Sequence, residues 1–468
     1  MKKSTNHLLV NKTNKTVTHK VVFLLGLVLI GVNAYAQEPG QQVDSVFSLQ
    51  DCINYALENN ESLIKSNIER DISQAEINEF VAQGLPQINA NANVTYNIKQ
   101  QQVIIEGDNP FAPSNGEGGP VAFALGTKYS GSAGIELTQL IFNGSYFVGV
   151  QATKTLKELS DKSYIKTQID VKENVIKAYY TVLVAQERLD LIKSNLSRID
   201  SILTETQLLF DEGFVEKIEV NRLKINHNNL KTSYENNQRS VEIAKELLKF
   251  QMGMPIDQNL TISETIRDIQ FKDLETNIES FQYENRIEVN ILETRRKLTT
   301  YNMKNTKAQY MPVIDAFANY GAIGGRNDFG DLMKFSESWF DFSNVGVRIS
   351  IPIFDGLRKS SIIQQRKLEL DQLDQDSHQL KNNIDLSIKQ ARIDVENAVN
   401  TLKTQEENMG LAKDVYDAAQ LKYKEGIGSS LELTEANSEY LTEQNNYYIA
   451  LFEALMARVE LEKSLGLL

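Results

Sequence analysis

Beyond residue 36 the chain holds two histidines, His227 and His378, and a single cysteine, Cys52. Neither histidine has a cysteine, a second histidine or a carboxylate pair at metal-ligand spacing, so no metal site is predicted. A lone cysteine forms no internal disulfide. The Leu49-Gln50-Asp51 before it lacks the small apolar residues that precede a lipidated bacterial cysteine, and Cys52 reads as a buried helix residue. Gly126-Thr127-Lys128 has no upstream glycine framework to cradle a phosphate, and Gly118-Gly119 and Gly324-Gly325 fall in loops. The expectation is a protein that is not an enzyme and carries no cofactor. What remains is electrostatic. Glu432 and Glu435 stand three residues apart, hence on one helix face. Carboxylates of this kind, gathered from several copies around one axis, would repel each other and draw cations.

The elements that carry these residues are very long. No proline occurs between Pro120 and Pro255, or after Pro352. Apolar residues fall in four-three spacing from Val182 through Leu189, Leu196 and Leu203 to Phe210, with Thr206 in the row, and again from Ile384 through Val395 and Tyr416 to Tyr423. Such heptads mark coiled-coil packing. At about 1.5 Å per residue, helices of roughly seventy residues reach about 100 Å. A glycine turn at Gly213 and another at Gly426 send the chain back antiparallel.

Short alternating segments precede these helices. Ile88, Ala90, Ala92, Val94, Tyr96 and Ile98 form one face, and Gln87, Asn89, Asn91, Asn93, Thr95 and Asn97 the other. Val345, Val347, Ile349 and Ile351 alternate likewise with Asn344, Gly346, Arg348 and Ser350. Segments near 133–137 and 314–322 repeat the pattern less cleanly. This is the period of a membrane barrel, apolar outward and polar inward. One such strand alone would equally suit a soluble half-buried sheet. Aromatics crowd the strand ends (Phe123, Tyr129, Phe142, Tyr146, Phe147, Phe335, Trp339, Phe340, Phe342), as an interfacial girdle requires.

The N-terminus favours the barrel. Five lysines precede an apolar run from Val21 to Ile30, and Ala34-Tyr35-Ala36 supplies a cleavage site, so residues 1–36 read as a signal peptide. Ten apolar residues are too few for a span of about 20. Without those lysines the 49 basic residues fall to 44 against 62 acidic, a net charge near −18. That balance argues against nucleic acid as a partner. No other apolar run approaches a membrane helix, so a membrane location requires a β-barrel.

The whole plan is written twice. Glu58-Asn59-Asn60 recurs as Glu284-Asn285-Arg286, and Gly84-Leu85-Pro86 as Tyr310-Met311-Pro312, both offset by 226. Ile141-Phe142-Asn143-Gly144 recurs as Ile353-Phe354-Asp355-Gly356, offset 212, and Gly213 and Gly253 as Gly426 and Gly466, offset 213. The first copy carries fourteen extra residues where turn-rich Asn109–Pro113 and Gly116–Pro120 lie, read as an exposed loop. Residues 37–254 form the first repeat, with strands about 86–98 and 129–142, a long helix 145–211 and a hairpin tip 212–217. Residues 255–282 are an equatorial linker. Residues 283–468 form the second repeat, with strands about 313–323 and 343–353, a long helix 357–424 and a tip 425–430. Four strands close no barrel, and unpaired backbone in lipid costs several kcal/mol per group. Three copies would give twelve strands around a wet lumen, which the helices extend as a tube.

These features resemble the TolC family of outer-membrane efflux and secretion channels. The most specific marker is Pro352-Ile353-Phe354-Asp355-Gly356, echoed by Phe142-Asn143-Gly144. The resemblance implies an α+β membrane protein: a homotrimeric, twelve-stranded antiparallel barrel, four strands per protomer, continuous with a coiled-coil helical barrel in the periplasm. It implies an outer-membrane exit duct of a tripartite efflux pump or type I secretion system, with an inner-membrane pump or ABC transporter and a periplasmic adaptor as partners. It places a gate at Tyr423, Glu432, Glu435 and Glu219, and adaptor docking at Gly213-Phe214-Val215 and Gly426-Ile427-Gly428. Gly428 stands where well-known members have an arginine that ties neighbouring protomers, so the lock is expected to be built differently. Two other readings compete: an exported structural coiled-coil envelope protein without a pore, and a surface receptor using the long Gln100–Lys128 loop.

Overall fold

A computed structural model describes residues 46–105, 120–266, 281–334 and 339–468. The expected signal peptide, residues 106–119 of the first-copy insertion, residues 267–280 of the linker and Phe335 of the expected girdle lie outside these. The chain opens with β1 (Val46–Phe47), α1 (Leu49–Asn59) and α2 (Glu61–Ala82), the first helix begun by a capping box in which Ser48 and Asp51 bond reciprocally. Then come β2 (Gln87–Tyr96), β3 (Gln101–Ile105), β4 (Val121–Leu125) and β5 (Tyr129–Asn143), and the hairpin α3 (Gly144–Asp211) and α4 (Lys217–Met252). After β6 (Thr261–Ile262), the order α5 (Ile287–Ala308), β7 (Val313–Arg326), the one-turn α6 (Phe329–Leu332), β8 (Trp339–Ser350), α7 (Arg358–Lys424) and α8 (Ser430–Leu465) repeats the plan.

Four strands make one antiparallel sheet in the order β2-β5-β7-β8. Its edges, β2 and β8, have no outer partner among the described residues. The segment Gln100–Lys128, expected to be a loop, holds a second small sheet on either side of the undescribed residues 106–119, β3 paired with β4, Val103 opposite Phe123. Alternation there is weak because valine, isoleucine and alanine occupy both faces, so periodicity does not reveal the hairpin. The last strand also differs in extent: β8 begins at Trp339 and ends at Ser350, and the backbone of 351–353 leaves the ladder ahead of Phe354. Pro352, without an N–H, cannot continue the pairing.

α3 has 68 residues and α7 has 67, each about 100 Å of helix. All four long helices end alike. Gly213, Gly253, Gly426 and Gly466 take left-handed φ between 71 and 81°. In each, the next N–H reaches back five residues, as from Phe214 to the Leu209 carbonyl and from Ile427 to the Lys422 carbonyl. That bond pattern satisfies carbonyls the helix end would leave orphaned, and glycine adopts it without Cβ strain. The repeat in sequence is thus a repeat in hydrogen bonding.

Three buried clusters tie the helices together. Cys52, Val175, Tyr179, Val182, Leu248, Met252 and Leu455 join α1, α3, α4 and α8. Ile199, Ile202, Leu223, Tyr416, Leu433 and Tyr440 join the two hairpins towards their tips. Val289, Ile384, Ile388, Ala391, Val395 and Leu461 join α5, α7 and α8. The expected α7 row from Ile384 to Tyr423 is buried or half-buried throughout. The α3 row is less so, since Leu189 and Leu203 are only half-buried while Val175, Tyr179 and Ile202 are covered. No helix among the described residues is long and apolar enough to cross a membrane.

Candidate functional site

The sheet has two faces of opposite chemistry, and both are open in the protomer. Register places Asn89, Glu136, Asn319 and Asn344 in one cross-strand row. The Asn319 amide donates to the Asn344 side-chain oxygen at 2.9 Å. On the other face, Ile88, Leu137, Ala318 and Val345 form the corresponding row, and Val345 is 83 % exposed. Of the expected aromatic girdle, Tyr129 and Phe142 mark the two ends of the apolar face, while Phe340 and Phe342 lie on the opposite face with Asn344. Tyr96 packs on Tyr129 at 5.0 Å, and Phe142 and Tyr146 flank Phe147 at 5.9 and 5.6 Å. Tyr129 and Phe142 are separated by about 40 Å of strand, a hydrocarbon layer plus its interfaces once strand tilt is allowed for.

The Phe-Asx-Gly motif joins sheet to helix. In the first copy the Asn143 side chain accepts from the N–H groups of Ser145 and Tyr146 at 2.9 and 3.2 Å, and the helix starts at once with Gly144. In the second, Gly356 and Leu357 both take left-handed φ, 68 and 66°, and the Asp355 carboxylate caps the Lys359 N–H at 3.1 Å. Phe354 stays 81 % exposed below the apolar face, whereas Phe142 packs on Phe147.

At the far end of the helices the two tips lie side by side. The Glu219 carboxylate of the first accepts from the Ser430 N–H of the second at 3.1 Å, at the start of α8 where a helix N-terminus favours an anion. The Tyr423 phenol and the Thr206 hydroxyl are 2.7 Å apart, and burial raises the phenol above its ordinary range. Glu432 forms an ion pair with Lys422 at 2.8 Å, with both side chains about half exposed. Glu435 is exposed one turn further on. Phe214 and Ile427 project into solvent, 77 and 80 % exposed, and Val215 is half-buried.

Gly428 is confined. A Cβ there would come within 2.9 Å of Lys422 Cβ and 3.0 Å of the Tyr423 nitrogen. An arginine would not fit this turn unaltered. The tie between the tips runs through Glu219 and Tyr423 within one protomer.

Sequence reasoning missed Ser430, Lys422 and Asn437. The Asn437 side chain is 1 % exposed, and both its amide atoms lack a partner. Only its amide interrupting an apolar helix face would have signalled it. Thr206, fully buried, already stood out as a hydroxyl in an apolar row. His227 lies 3.4 Å from Asp200 and His378 is exposed. No group of His, Cys, Asp or Glu among the described residues is arranged to hold a metal.

The sequence profile of the outer membrane efflux protein family matches residues 52–254 and 283–467, one segment for each copy. The chain belongs to this family. It is 21 % identical over 430 residues to the outer membrane protein TolC of Vibrio cholerae, covering 90 % of this chain and 91 % of that one. A probable efflux pump outer membrane protein, TtgC of Pseudomonas putida, is 23 % identical over 432 residues, covering 90 % of this chain and 83 % of its own. In fold, the Campylobacter jejuni CmeC outer membrane channel superposes with a TM-score of 0.68 at 16 % identity, covering 92 % of this chain and 90 % of that one. This outer membrane efflux protein is therefore a channel protein of the TolC type, seated in the outer membrane and reaching into the periplasm.

Proposed function

We propose that three copies close the β2-β5-β7-β8 sheets into a twelve-stranded barrel, continuous with a tube of twelve long helices, and that this trimer is the passive exit duct of a tripartite efflux pump or type I secretion system. The observation that carries it is the sheet: two edges unpaired and two faces, one apolar and one asparagine-lined, uncovered among the described residues. Unpaired edges are intolerable in lipid, so β2 of each copy pairs with β8 of the next. Exposed apolar residues on the helices support the same assembly. Ile218 and Ile225, and Leu386 and Ile393, stand one heptad apart at 43–66 % exposure, and Ile243-Leu247-Phe250 form a four-three row, as seams awaiting a neighbour do. The asparagine face disfavours a structural tether, which has no use for a wet interior.

In this reading the tips carrying Gly213, Phe214 and Val215, and Gly426, Ile427 and Gly428, dock a periplasmic adaptor that links the duct to an inner-membrane pump or ABC transporter. Glu432 and Glu435 from each protomer ring the periplasmic entrance, with Glu219 and Tyr423 holding the tips closed. The test is electrical. The purified protein should run as a heat-modifiable trimer from outer-membrane fractions and conduct ions in planar bilayers. Replacing Glu432 and Glu435 with alanine should lower cation preference and divalent block. A monomer without conductance overturns the duct, and a conducting double variant with unchanged selectivity overturns the gate.

A further inference from the structure

The two repeats meet in a seam inside the protomer. In the sheet, β5 of the first pairs with β7 of the second, Ile135 opposite Tyr320 and Leu137 opposite Ala318. Below it α5 packs on α3, where Lys162 donates to the hydroxyl of the fully buried Thr294, and Ser145 and Asn305 bond twice. At the junction a Cβ on Gly144 would meet Met311 and Ala308.

The repeat offsets carry each of these groups to a counterpart. An offset of 226 takes β7 and α5 back to β2 and α2, and 212 takes β5 on to β8. For α3 and α7 the offset is 213, since Val175, Ala178 and Val182 fall on Ile388, Ala391 and Val395, buried in both. The one added residue is Leu357, left-handed just ahead of α7. The counterparts are uncovered. Thr294 falls on Ile68, 51 % exposed, Met311 on the exposed Leu85, and Gly144 on Gly356, around whose Cβ position nothing lies within 4 Å.

Resting on the trimeric duct proposed above, we infer that the interface between protomers repeats this internal seam, with β8 and α7 of one protomer against β2 and α2 of the next. Such a head-to-tail contact closes a ring. The offsets fix its register. Val345 stands opposite Tyr96, Val347 opposite Val94 and Ile349 opposite Ala92 on the apolar face; Arg348 stands opposite Asn93 and Ser350 opposite Asn91 on the polar one. A slip of one residue would set Val347 against Asn93 or Thr95 and mix the faces. At the junction Ser145 falls on Arg358 and Asn305 on Glu79, both exposed. A hydrogen-bonded pair within the protomer is thus replaced by an ion pair between protomers.

The test is crosslinking. With Val94→Cys and Val347→Cys in one chain, oxidation should give covalent dimers and trimers that survive boiling without reductant, because directly opposite residues lie within disulfide reach. The two strands are opposite edges of one sheet, so the bond cannot form within a protomer, and the native Cys52 is fully buried. Val94→Cys with Val345→Cys or Ile349→Cys, displaced by two residues, should give none. Glu79→Arg and Arg358→Glu should each lower the temperature at which the trimer dissociates in detergent, and the two together should recover most of the loss. A crosslink in a displaced register, or none in a protein that still runs as a heat-modifiable trimer, overturns the inference and leaves the duct intact; so does a charge-swapped double variant no more resistant than either single one. A wild-type protein that forms no trimer overturns both.

Discussion

At the strand-to-helix junction, the same glycine serves two different physical needs. A Cβ on Gly144 would come within 2.6 Å of the Met311 sulfur and 3.2 Å of the Ala308 carbonyl, so the first copy needs glycine for close approach. Gly356 has open space but a φ of +68°, so the second copy needs it for backbone freedom. Gly144→Ala should therefore cost about 1–3 kcal/mol through overpacking, and Gly356→Ala about 1–2 kcal/mol through left-handed strain. Thermal melts of the two variants compare the losses. A second residue-scale prediction concerns Glu173, only 8 % exposed between Lys177 at 2.6 Å and Lys463 at 2.8 Å. Burial opposes its ionisation, but hydrogen bonds from the two ammoniums outweigh that and hold its pKa below the usual carboxylate value. Because the folded pKa is depressed, its stabilisation is present above the unfolded carboxylate pKa and is lost as pH falls below that value towards the folded one. Glu173→Gln should lower stability at pH 7 by about 1.5–3 kcal/mol and flatten the acid limb of a melting-temperature-against-pH curve. An unchanged acid limb would assign that limb to other groups.

Among the elements, the helix hairpins are packed with polar groups a tight bundle would avoid. Asn437 is buried with neither amide atom bonded, and the Ser430 hydroxyl is likewise buried without a partner among the described residues. By contrast, the buried Asn195 amide donates to the Gln444 side-chain oxygen at 3.1 Å. A desolvated, unbonded amide costs about 1–3 kcal/mol, so Asn437→Leu, close in volume, should raise unfolding stability by an amount of that order. Chemical denaturation checks the sign; a loss would show that Asn437 holds bridging water. The long helices were legible in the sequence because prolines are absent and four-three rows are long, and the sheet because asparagine and valine alternate cleanly. The β3–β4 hairpin was not, since Val103, Ile104 and Ile105 run consecutively and no period emerges. The chemistry of the tips was legible in part. Glycine turns and acids announce themselves, but the Glu219–Ser430 bond joins residues 211 positions apart, and local spacing says nothing of such a meeting. The Lys422–Glu432 pair was hidden because a turn of unspecified geometry separates its members.

For the whole molecule, the decisive matter is which sheet face meets water once the protein is in its membrane. Cysteine labelling reads this directly, because the native Cys52 is silent: it is fully buried, and burial pushes its thiol up to about 12. Asn91→Cys lies on the asparagine face and Val345→Cys on the opposite one. In proteoliposomes, a membrane-impermeant charged thiol reagent should modify the cysteine at 91 rapidly and reduce conductance, while the cysteine at 345 stays unmodified until detergent is added. Rapid modification at 345 with protection at 91 would contradict the wet lumen and, with it, the duct.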